Sequence, residues 1–100
     1  MINFLKETED LLKKHKKKST DVLFVSNGST YVAYEEFVKQ ADFEYNNGYG
    51  RAMINKKLVI VGTNWWIERQ EYDGAEWWAF KTIPTKPKRK LKVFNLSETD

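Results

Sequence analysis

The dipeptide Asp73-Gly74 constrains this chain more than any other feature. It lies midway along Trp65–Ile83, an aromatic-rich run that reads WWIERQEYDGAEWWAFKTI. Asp-Gly accepts positive φ at both central positions of a type I′ turn, so it closes a hairpin with a two-residue loop. Such a loop leaves one register. Tyr72 faces Ala75, Glu71 faces Glu76, Gln70 faces Trp77 and Arg69 faces Trp78. Further from the turn, Glu68 faces Ala79, Ile67 faces Phe80, Trp66 faces Lys81 and Trp65 faces Thr82. Side chains alternate along a strand, which sorts the hairpin into two faces. One carries Trp65, Ile67, Arg69, Trp78 and Phe80, and is expected to meet the core, with Arg69 stacked on Trp78 at its rim. The other carries Trp66, Glu68, Gln70, Tyr72, Trp77, Ala79 and Lys81. Large aromatics on a half-polar face mark a binding surface, unless another segment covers it. Glu71 opposite Glu76 is unfavourable across a strand pair. With Glu68 and Asp73 it makes the tip acidic: a solvated tip, a contact for a basic partner, or a hard-cation site. The spacing matches no calcium-loop pattern.

The remaining chain supplies elements to pack on that hairpin. Residues 3–18 read as an amphipathic helix with Asn3 as its cap. Phe4, Thr8, Leu11, Leu12 and His15 form one stripe, and i,i+4 charge pairs lie outside it. Residues 22–33 read as a hairpin around Asn27-Gly28, with a helix capped by Ser29 or Thr30 as the competing reading. Residues 34–45 read as a second helix through Tyr34, Phe37, Val38, Ala41 and Tyr45. The loop 46–51, NNGYGR, follows a helix and precedes strands, the wrong context for a phosphate cradle. Residues 51–83 read as a β-meander, with Arg51–Ile54 pairing Lys57–Val61. The basic segment 84–100 begins at Pro84. Within it Leu91, Val93, Phe94 and Leu96 form a last strand or an apolar clasp. The expectation is a single α+β domain over 1–100: a mostly antiparallel sheet of about five strands with two helices packed on one face.

Composition removes several function classes. The chain has no Cys and one His, so neither a disulfide framework nor a cysteine-ligated or multi-histidine metal site is expected. No cofactor is expected. No apolar run approaches the length of a membrane span, and MINFLKETED is too acidic for a signal peptide, which points to the cytoplasm. Net charge is +3, but unevenly placed: residues 81–92 carry five Lys and one Arg without an acid, while residues 21–50 carry five acids and one Lys. Lys86, Lys88, Arg89, Lys90 and Lys92 are therefore candidate phosphate contacts, with an exposed Trp to stack on bases. Glu71 and Glu76 have the residue type for acid–base work at glycosidic bonds, but a hairpin tip is not a cleft. The one His lies in a lysine-rich helix with no nucleophile in local reach. A non-enzymatic protein is expected.

Leu58–Gly62, Trp65–Arg69 and Glu71–Lys81, with the upstream Tyr34-Glu35-Glu36-Phe37, Ala41-Asp42-Phe43 and Tyr49-Gly50, resemble a small family of uncharacterised phage and prophage proteins of Gram-positive bacteria. The resemblance covers roughly residues 31–87, and the doubled Trp pairs around Glu-Tyr-Asp-Gly carry most of it. It brings no catalytic residue. It implies a small accessory protein, in a bacterial host cell, that binds and modulates a host or defence protein, as anti-CRISPR inhibitors do. The contact surface expected for that role is Trp66, Trp77, Tyr72, Glu71 and Glu76. Nucleic-acid binding through the basic segment is the alternative.

Overall fold

A computed structural model describes residues 1–48, 50–90 and 96–97 of the chain. The described elements run β1 (Ile2–Asn3), α1 (Phe4–Lys14), a 3-10 turn (Ser19–Asp21), β2 (Phe24–Ser26), β3 (Tyr31–Val32), α2 (Tyr34–Ala41), β4 (Glu44–Tyr45), β5 (Val59–Val61), β6 (Trp65–Tyr72) and β7 (Ala75–Thr82). They form an α+β fold. A five-stranded antiparallel sheet has the order β3-β2-β5-β6-β7, and β1 pairs with β4 in a separate two-stranded sheet.

The β6–β7 hairpin has the register that the Asp73-Gly74 turn dictates, from Tyr72↔Ala75 to Trp65↔Thr82. Asp73 and Gly74 have φ of 50° and 88°, the two positive values of a type I′ turn. Gly74 is also required by space. A Cβ there would lie 2.6 Å from the Gly50 carbonyl oxygen.

Helix α1 starts as its sequence demands, with Asn3 Oδ1 accepting from the Lys6 amide at 2.9 Å. It is shorter than the expected 3–18. Lys16 adopts φ 61°, its N–H donates to the Lys13 carbonyl at 3.0 Å, and the Lys17 N–H donates to that of Leu12 at 2.8 Å. This pair of bonds is a Schellman stop, with lysine at the position that normally takes glycine. Helix α2 likewise ends before the expected Tyr45. The chain turns at Asp42-Phe43, the Phe4 N–H donates to the Phe43 carbonyl at 2.8 Å, and Tyr45 pairs with Ile2 in the β1–β4 ladder. The N-terminal strand supplies backbone partners that a longer helix would have forgone.

Two further expectations are corrected. The first hairpin has a four-residue loop, with Ser26 facing Tyr31. Asn27 organises it, its Oδ1 accepting from the amides of Ser29 and Thr30 at 3.1 and 2.9 Å. Residues 51–54 form no strand with 57–61. Instead β5 pairs with β2 on one side and β6 on the other, and the amides of Met53 and Ile54 turn to the Glu76 carboxylate. Of the anticipated last strand or clasp, Leu91, Val93 and Phe94 lie outside the described residues, and Leu96 is exposed.

Both helices lie on the sheet face that carries Val25, Ile60, Ile67 and Trp78. Trp78 stacks on Phe4 at 5.7 Å, and its indole N–H donates to Thr8 Oγ1 at 2.8 Å. Nearer the helix end, the His15 ring stacks on Phe80 at 3.9 Å and the Lys17 ammonium sits over Trp65. Helix α1 therefore runs along β7 in the same direction. Phe37 of α2 meets Phe4 edge-on at 5.9 Å and closes the aromatic core.

Candidate functional site

The two faces of the Trp hairpin have separate chemistry. On the core face Arg69 is 7% exposed and sits among the rings of Trp78, Phe4 and Tyr45, with its Cζ 4.9, 5.3 and 5.9 Å from their centroids. Its Nη2 donates to Glu76 Oε1 and to the Tyr45 hydroxyl, each at 3.0 Å. The Tyr45 hydroxyl donates in turn to Glu7 Oε1 at 2.6 Å, and Arg69 Nη1 lies 3.6 Å from the same oxygen. Burial, then the Glu7 hydrogen bond, push the Tyr45 phenol well above its usual pKa, although Arg69 opposes the shift. Glu76 is 3% exposed and also accepts from the Ile54 amide at 3.1 Å and the Met53 amide at 2.5 Å. This cluster orients the loop 51–54, the hairpin and α1 on one another. A small cleft of about 190 Å³ beside it is lined by Ile54, Lys56, Gln70 and Glu71 as well as Arg69 and Glu76, and the cluster reads as the polar keystone of the core.

Among the described residues no helix covers the other face, since both helices lie on the opposite side. Ladder pairing aligns Phe24, Val61, Trp66 and Lys81 in one row across it, and Ser26, Val59, Glu68 and Ala79 in the next. Gln70 and Trp77 follow, with Tyr72 at the hairpin end and Tyr31 beyond Ser26. Trp77 is 41% exposed, Tyr31 75% and Tyr72 77%. Glu68 tethers the centre, because Oε1 accepts from the Trp66 indole N–H at 2.7 Å and Oε2 accepts from Gln70 Nε2. Phe24 meets Tyr31 edge-on at 6.1 Å. The result is a flat aromatic surface with a hydrogen-bonded carboxylate in its middle.

Of the five residues expected to make one contact surface, the structure brings three together: Trp66, Tyr72 and Trp77. Glu71 and Glu76 belong to the opposite face, because they lie an odd number of residues from those three along the same strands. The Glu71–Glu76 conflict is relieved by separate partners. Glu76 pairs with buried Arg69, and Glu71 pairs with Lys56 at 2.9 Å. Glu76 is thus withdrawn from any surface role, and the tip is less acidic than its composition implies. Among the described residues no three His, Asp or Glu side chains converge as metal ligands would.

Lys86, Lys88, Arg89 and Lys90 are exposed on the segment that follows β7, and none of them forms an ion pair among the described residues. Lys92 lies outside the described residues. Sequence reading missed Tyr31, Phe24, Val59 and Val61 as members of the open face. Alternation in Phe24-Val25-Ser26 and Val59-Ile60-Val61 was the available signal, but it needed the strand order to become a surface. No helix among the described residues is long and apolar enough to cross a membrane. Comparison with known proteins finds no matching family model, no matching curated protein and no matching solved structure.

Proposed function

We propose that this chain is a non-enzymatic binding protein of the phage accessory type, which docks on and modulates a protein of a bacterial host or of its defences. The observation that carries the binding reading is the open sheet face. Trp66, Trp77, Tyr72, Tyr31 and Phe24 lie on the side away from both helices; Trp77, Tyr72 and Tyr31 are exposed and Trp66 and Phe24 half-buried, and aromatics on such a face are common interface anchors. The phage context rests on the resemblance of the doubled-Trp hairpin.

Affinity capture from a bacterial lysate, run with the wild-type chain and with face-specific variants, tests the reading. Trp66→Ala with Tyr72→Ala should release the captured protein, while Glu71→Lys, on the opposite face, should retain it. Retention by the aromatic double variant would remove the open face as the contact. Lys86, Lys88, Arg89 and Lys90, exposed and without an ion pair among the described residues, support a second reading, nucleic-acid binding. It requires affinity for single- or double-stranded DNA that falls steeply with salt, and no binding at low salt ends it.

A further inference from the structure

The two edges of the five-stranded sheet are unlike. At one end β3 is two residues long, short enough to offer little to another chain. At the other end β7 is eight residues long, without proline or bulge over its length. Its hydrogen-bonding sense follows from the turn. Tyr72 and Ala75 flank the two-residue loop as a hydrogen-bonded pair, so Trp77, Ala79 and Lys81 also bond inward to β6. Glu76, Trp78, Phe80 and Thr82 then point their backbone N–H and C=O groups outward. Two bonds confirm this sense: the Ile83 N–H donates to the Asn64 carbonyl at 3.0 Å, and the Glu76 N–H donates outward to the Asn47 carbonyl at 2.8 Å. Asn47 uses the first outward position. No backbone or side-chain acceptor among the described residues takes the N–H groups of Trp78, Phe80 or Thr82.

Beside this edge lies a groove of about 660 Å³, lined by Ile2, Leu11, Trp77 and Trp78, with Lys6, Glu7, Asp10 and Lys14 along its α1 wall. Three of those four charges are already engaged. Lys6 pairs with Asp10 at 3.3 Å, and Glu7 is held by Tyr45 and Arg69. Lys14 has no counter-ion among the described residues. We infer that the β7 edge is a strand-addition site for an extended partner peptide, with apolar side chains seated over Trp78 and Leu11 and acidic ones toward Lys14 and the Phe80–Thr82 end. Backbone pairing supplies affinity and the alternate side-chain positions supply selection. A second copy of this chain fits less well. The one acid of its β7 is Glu76, which is buried against Arg69, so it brings no counter-charge to Lys14. The site shares Trp77 with the open aromatic face but not Trp66, Tyr72, Tyr31 or Phe24, so variants at Trp66 and Tyr72 tell the two surfaces apart.

The test uses the full chain and a short blocked peptide of alternating valine and glutamate, titrated by fluorescence anisotropy and by amide NMR. Binding should protect the Trp78, Phe80 and Thr82 amides from exchange. N-methylating alternate peptide amides, or replacing each glutamate by lysine, should weaken binding about ten-fold or more. Lys14→Glu should reverse the charge preference, and Thr82→Pro, which removes one outward N–H at an exposed position, should weaken binding without loss of fold. Trp66→Ala with Tyr72→Ala should leave peptide binding unchanged. Equal binding of the methylated peptide, equal binding of the lysine peptide, or failure of the glutamate peptide to bind would each overturn the inference. So would a free protein that is already dimeric, with those three amides protected.

Discussion

At the scale of the residue, Glu76 has the largest structural role for its size. It holds Arg69 Nη2 and the amides of Met53 and Ile54, so Glu76→Ala leaves a buried guanidinium without its nearest counter-charge and two backbone donors without partners. Removing one member of a buried pair costs about 3–5 kcal/mol. Arg69→Met should cost less, because Glu76 keeps both amides. Urea unfolding of the two variants gives that order, and the reverse order would place the cost in Arg69's ring contacts instead. Tyr45 makes a pH prediction. Its folded-state pKa is raised above the ordinary phenol value of 10.0, by burial first and the Glu7 hydrogen bond second. A raised pKa means that its stabilising contribution is complete below about pH 10 and is lost as pH rises further, since the unfolded chain ionises first. Stability measured from neutral to strongly alkaline pH should fall less steeply in Tyr45→Phe. Tyr34, raised for the same first reason, leaves a residual slope. Sequence reading found Arg69 on the core face and its stacking on Trp78. It could not find Glu76's partners, because two of the three are amides of a loop more than twenty residues away.

At the scale of the element, ends were harder to read than faces. The stripe of α1 is where periodicity placed it, and Asn3 caps it as expected. The helix stops at a Schellman turn whose left-handed residue is Lys16, φ 61°. Lysine gives no local signal for a stop, and the run Lys13–Lys18 looked like a continuing helix. The strain there yields a prediction. Lys16→Gly should stabilise the protein by about 0.5–1 kcal/mol, because glycine adopts that φ without a Cβ penalty. Thermal or urea melts decide it, and a destabilised variant would mean that Lys16 contributes more through its side chain than its backbone costs. The Trp hairpin is the opposite case. Its turn signal, Asp73-Gly74, is local and strong, so its register and both faces were legible residue by residue.

At the scale of the whole molecule, the sheet has a protected middle and two unequal rims. Ile60 and Ile67 are fully buried and face one another across β5–β6, with strands on both outer sides. Their amides should exchange most slowly of all, and those of Tyr31 and Val32 on the short edge strand among the fastest. Slow exchange confined to α1 would contradict that order. The helices cover one sheet face and leave the aromatic face free, so each Trp pair of the hairpin is divided between core and surface. Part of this arrangement was set by the sequence alone. The Asp73-Gly74 turn couples neighbours within a few residues, and alternation then carries its register down both strands. Which strand flanks β5, where the amides of 51–54 go, why Tyr45 leaves its helix, and that Glu76 is buried while Trp77 is not joined to Glu71 were decided only by the tertiary structure. Periodicity states that a face is buried, but not against what. The groups that settle the matter, Thr8 with Trp78, Glu7 with Tyr45 and Arg69, and Glu76 with the 53–54 backbone, meet only once the chain has closed on itself.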